Sequence, residues 1–68
     1  MYVCPDMNSR EVIRALGRDG WELVRVSGSH HVFQHSTKPG RVIVPHPVRD
    51  IPLGTMRSIE RQSGLKLR

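Results

Sequence analysis

Trp21-Glu22-Leu23-Val24-Arg25-Val26-Ser27-Gly28-Ser29-His30-His31-Val32-Phe33-Gln34-His35 decides the fold. Both halves of this stretch are rich in β-formers, and the small residues Ser27-Gly28-Ser29 between them read as a turn. Two strands are therefore expected, Trp21 to Val26 and His30 to His35. Downstream, Lys38-Pro39-Gly40 supplies a hairpin loop in which Gly40 takes a positive φ. Arg41 to Val44 makes a third strand, and Pro45-His46-Pro47 ends it by removing amide donors.

Helical patterns flank the strands on both sides. Upstream, Asn8 is placed to accept from first-turn amides and Glu11 to reach back, the pattern of a capping box. Val12, Ile13, Leu16 and Ala15 then form an apolar stripe, while Arg10, Arg14 and Arg18 fall on the wetter side. Asp19-Gly20 ends this helix, with Gly20 suited to the left-handed residue past the cap. Downstream, Val48 to Pro52 reads as a connection. A second helix follows from about Leu53, with Leu53, Met56 and Ile59 on one side, Gly64 as its stop and Leu65 packing back. The expected architecture is α+β: helix, three antiparallel strands, helix, with both helices on one face of the sheet. Met1 to Met7 shows no periodicity and reads as a flexible extension; residues 8–68 form the single domain.

The chain has 68 residues, enough for one domain and too few to wall a deep pocket on all sides. Any activity belongs on a surface or in a shallow groove, with a large, accessible substrate. Cys4 is the only cysteine, so neither an internal disulfide nor a thiol metal site is available. The longest apolar runs, such as Val42-Ile43-Val44, fall far short of the ~20 residues that span a bilayer. No signal peptide is visible at Met1 to Asp6, and the expected location is the cytoplasm. Net charge is +5, with two lysines among eleven basic residues. Residues 1–34 balance at zero, four basic against four acidic, whereas residues 35–68 hold seven basic and two acidic, a balance of +5. A one-sided positive field attracts phosphate backbones irrespective of sequence. It fits equally a soluble basic surface with no nucleic-acid role.

Four histidines need separate readings. Alternation along the second strand puts His31, Phe33 and His35 on one face and His30, Val32 and Gln34 on the other. Phe33 and Trp21 are expected in the core. His30 follows directly on Gly28-Ser29, where small residues let a polyanion approach and free amides face a phosphate. A histidine titrates near pH ~6.5 and serves as general acid or base around neutrality. RNA carries its own nucleophile, the 2′-hydroxyl, so its cleavage requires neither a metal nor a protein nucleophile. The plainer alternative is a surface histidine that only hydrogen-bonds the turn. His31 and His35 lie on the order of 13 Å apart along a strand, too far to share a zinc at ~2 Å bonds. A site combining His35 with His46 stays open at this level, without an obvious carboxylate. No metal or other cofactor is expected.

These pieces form an ordered string. Ser9-Arg10-Glu11-Val12-Ile13, Asp19-Gly20-Trp21, Gly28-Ser29-His30-His31, Val44-Pro45-His46-Pro47, Ile51-Pro52-Leu53-Gly54-Thr55-Met56, Ile59 and Ser63-Gly64-Leu65 together resemble the HicA family of toxin–antitoxin ribonucleases, from Asn8 to Leu65. The resemblance implies a fold similar to double-stranded RNA-binding domains and translation-independent cleavage of messenger RNA. It implies that the histidine of the Gly-Ser-His motif, His30 here, is catalytic. It also implies a HicB-type antitoxin that covers this histidine and through which operator DNA is bound only indirectly. Family members commonly begin near Met7, so residues 1–6 are expected to be dispensable for cleavage. Beyond the motif, Gly28 and Ser29 are expected to position a phosphate, and Arg25, Lys38 and Arg41 to hold the RNA backbone on grounds of charge and position. Two other classes fit the same residues: a non-catalytic double-stranded RNA-binding module, in which His30 is dispensable, and a regulatory subunit acting through protein contacts.

Overall fold

Asn8 and Glu11 start the first helix by satisfying each other. In the computed structural model, which describes residues 7–67, the Glu11 amide donates to Asn8 Oδ1 at 2.8 Å and the Asn8 amide to Glu11 Oε1 at 3.1 Å. Helix α1 runs Ser9–Arg18. Residues 1–6 of the expected extension lie outside the described residues. Met7 packs against the core, and its carbonyl accepts from the Ile51 amide at 3.1 Å.

Gly20, at φ 100°, turns the chain out of α1 into strands β1 (Trp21–Ser27), β2 (His30–His35) and β3 (Arg41–Pro45). They form one antiparallel sheet in the order β1-β2-β3. Helix α2 spans Leu53–Ser63 and ends at Gly64, whose φ of 76° is the left-handed conformation expected of it. The order of elements is the one the sequence implies, with β1 and β3 each one residue longer.

Both helices pack on one face of the sheet. Val12 and Leu16 of α1 and Met56 and Ile59 of α2 are buried against Trp21, Phe33, Val42 and Val44, with Ile51 closing the cluster. Each such side chain contributes roughly 1.5–3 kcal/mol relative to exposure. One expectation fails here: Leu53 is 48% exposed. Ile51, two residues before the helix, fills the core instead, and the buried side of α2 runs Met56, Ile59, Ser63. The helices contact β3 and β1 but leave Leu23 and Val26 of β1 about half exposed.

The register contains one irregularity that matters for the open face. Leu23 pairs with Phe33 and Arg25 with Val32, so Val24 is an extra residue in β1. A bulge of this kind shifts every later side chain to the opposite face. Uninterrupted alternation would put Arg25 beside Leu23 on the helix side; with the bulge, it shares the open face with Val32 and His30.

Candidate nucleic-acid interface

His30 is the first residue of β2, paired with Ser27 on one side and Pro45 on the other. It is exposed, on the sheet face opposite the helices. Gly28 immediately upstream has φ 60° with nothing within 4 Å of where a Cβ would stand. The turn is therefore open to solvent as well as conformationally dependent on glycine. Ser29 is exposed, and its carbonyl accepts from the His46 amide at 2.7 Å. That bond fixes the backbone of the Gly28-Ser29-His30 turn against the end of β3.

The structure brings together some of the expected contacts and separates others. Arg25 pairs with Val32, two residues from His30, placing it on the same face about 7 Å along the strand direction. Arg41 pairs with Gln34 on this face too, but four residues from His30, about 13 Å away. Lys38 sits in the β2–β3 loop, beyond the opposite end of β2. Its Nζ is 2.5 Å from Asp19 Oδ2 and 3.3 Å from the Ser63 carbonyl. This ammonium holds the Asp19 carboxyl below the usual carboxylate value, first through the hydrogen bond and further through its charge.

The other histidines occupy defined places. His35 Nε2 donates to the Asp19 carbonyl at 2.6 Å, while its Nδ1 accepts from the Thr37 and Lys38 amides at 3.0 and 3.1 Å. Its ring also meets Trp21 edge-on at 5.1 Å. Both nitrogens are therefore engaged in structure. His31 faces the helix side, stacked edge-on with His46 at 4.9 Å between centroids; its Nδ1 is buried without a partner among the described residues. His35 lies at the Trp21 end of the sheet and His46 at the Ser29 end. The two cannot share an ion, which closes the combination that sequence reasoning left open.

Sequence reasoning missed one cluster. His46 Nδ1 lies 2.6 Å from the Ser9 hydroxyl, which also accepts from the Val48 amide at 2.9 Å. A groove of about 320 Å³ opens here, lined by Asn8, Ser9, Arg10, His46, Pro47, Val48 and Arg49. Its parts are 37 residues apart in sequence, so no local pattern joins them. The only hint is that Ser9-Arg10 and Pro45-His46-Pro47 both belong to the motif string.

A small basic α+β domain with a solvent-facing histidine at a glycine turn is the class of protein this fold and site define. The chain belongs to the HicA toxin family, described as the HicA toxin of bacterial toxin-antitoxin, which it matches over residues 9–65. The match runs from the first residue of α1 to just past the Gly64 cap, and it makes the protein the toxin of a toxin–antitoxin pair. No curated protein matches the chain. Among the described residues, no helix is long and apolar enough to cross a membrane.

Proposed function

We propose that this toxin is a metal-independent endoribonuclease that cleaves messenger RNA in the cytoplasm, with His30 as the catalytic base, and that a HicB-type antitoxin inhibits it. The observation that carries the reading is the exposure of His30 at the open Gly28-Ser29 turn of a HicA-family chain. His30 takes the proton from a 2′-hydroxyl, and that oxygen attacks the adjacent phosphorus. The P–O5′ bond breaks as the new bond forms, leaving a 2′,3′-cyclic phosphate on one fragment, while the departing 5′-oxygen takes a proton from water to become a 5′-hydroxyl. Both the attacking oxygen and the leaving oxygen belong to the RNA, so no metal or protein nucleophile is required. Gly28 and Ser29 admit the phosphate to the turn, Arg25 holds the neighbouring backbone, and Arg41 reaches the strand farther along the same face. Lys38, expected from charge to join them, is occupied by Asp19 and Ser63 at the far end of the sheet.

A positioned histidine contributes ~10²–10⁴-fold to such a step. His30→Ala is therefore expected to slow RNA cleavage by that factor and relieve growth arrest, while the protein stays folded. Incubating the purified toxin with RNA, with and without a chelator, reads cleavage and metal dependence together. Wild-type rates for His30→Ala would sink the mechanism and favour a binding module; loss of activity with chelator would sink its metal independence.

A further inference from the structure

We propose that the groove between the start of α1 and the segment after β3 is a second phosphate-binding subsite, taking an RNA phosphodiester that flanks the one cleaved at His30. The inference rests on the ribonuclease reading above. Three observations carry it. The groove's charged lining is cationic, Arg10 and Arg49, and it includes no carboxylate. Among the described residues neither arginine has an ion-pair partner; the one salt bridge is Lys38–Asp19. Of the two acids adjacent in sequence to these arginines, Glu11 directs Oε1 back to the Asn8 amide, and Asp50 is exposed outside the groove lining. Finally, the groove is joined to the catalytic turn by the hydrogen bond from the His46 amide to the Ser29 carbonyl. The groove lies at the same end of the sheet as His30 but on the helix side, so an RNA engaging both wraps around the Ser29 end of the sheet.

The Ser9–His46 pair defines what the histidine presents. Ser9 is buried, and its oxygen already accepts the Val48 amide hydrogen. Its hydroxyl hydrogen needs an acceptor, and His46 Nδ1 at 2.6 Å is the one among the described residues. The imidazole hydrogen is then on Nε2, which has no partner among the described residues, on a ring that lines the groove. His46 is thereby a positioned donor for a phosphate oxygen in a groove that Arg10 and Arg49 also line, two guanidiniums of the kind that bind phosphate in bidentate fashion. It is a positioning residue for the RNA and stays distinct from the base at His30.

The test uses the full chain, a cleavable RNA for kinetics and a 2′-deoxy-blocked analogue for binding. Arg10→Gln/Arg49→Gln is expected to raise KM on the order of tenfold with kcat little changed, the signature of lost uniform binding. The slope of log affinity against log salt should fall by about 1.4, at ~0.7 per contact on a single strand. Unchanged KM and slope, with wild-type cleavage intact, would overturn the subsite alone. A wild-type protein that binds the analogue but cleaves nothing would overturn the ribonuclease reading, while the salt slope still reports on the groove. Unchanged RNA binding with weakened antitoxin binding would also overturn the subsite, assigning the groove to an acidic protein surface. Independently of any variant, titrating the wild-type protein with a short oligothymidylate should shift the amide resonances of Ser9, Arg10, His46 and Arg49. Shifts confined to other residues would refute the proposal.

Discussion

Asp19 joins three parts of the molecule through one residue. Its carboxylate accepts from Lys38 Nζ and from Trp21 Nε1 at 3.1 Å, and its carbonyl accepts from His35. Because Lys38 holds the Asp19 pKa down in the folded state, the linkage has a definite sign. The stabilisation is present above the unfolded carboxyl value and is lost as pH falls through the folded one. Lys38→Met is therefore expected to lower Tm at neutral pH. The difference from wild type should shrink as pH drops below about 4 and also as salt rises, since both side chains are partly exposed, 38% and 29%. Thermal melts across pH check this; a difference that stays constant into acid would show the ion pair is not its source. The histidines make the companion point. His35 has both nitrogens engaged, His46 is held by Ser9 and His31 faces inward, whereas His30 projects into solvent from the open face.

The elements meet through junctions whose geometry was partly legible in the sequence. The Asn8–Glu11 capping box, the hairpin glycine Gly40 at φ 81° and the Gly64 cap are local, so their chemistry can be read from a few neighbouring residues. Gly20 is legible as a helix stop, but its tightness is not: a Cβ there would lie 2.8 Å from His35 Nε2, in addition to the positive φ. Gly20→Ala is expected to destabilise by about 1–3 kcal/mol, displacing the His35 ring from the Asp19 carbonyl and from Trp21. Urea unfolding measures the loss, and a stability within error of wild type would contradict it. Three features could not be read in advance for one shared reason: each depends on distant partners. The bulge at Val24 exists only as a count against β2, the replacement of Leu53 by Ile51 depends on where α2 meets the sheet, and the Ser9–His46 pair joins residues 37 apart in sequence. Of the expected site residues, His30 lies on the face that alternation gives it, and Arg41 is on the same face through its pairing with Gln34. Arg25 reaches the same face only because of the bulge.

At the scale of the whole molecule, stability and activity have to be separated, because so small a core leaves little margin. Chains of this size hold roughly 3–5 kcal/mol of net stability, while truncating a fully buried leucine costs about 2–5 kcal/mol. Leu16 has no exposed surface and sits where α1 meets the sheet, so Leu16→Ala removes most or all of that margin. Its melting transition is expected to vanish or fall below physiological temperature, and toxicity should vanish with it although His30 is intact. His30→Ala makes the opposite change: an exposed side chain whose removal alters stability within about 0.5 kcal/mol yet slows the cleavage proposed for it by ~10²–10⁴-fold. Antitoxin distinguishes the two kinds of loss. A partner that binds only the folded toxin adds stability by mass action, about 2.7 kcal/mol at a hundred times its Kd. Adding antitoxin should therefore restore a cooperative melt to Leu16→Ala and raise the Tm of His30→Ala, without returning cleavage to either. If Leu16→Ala alone melts like wild type, the core described here is not what holds the toxin together.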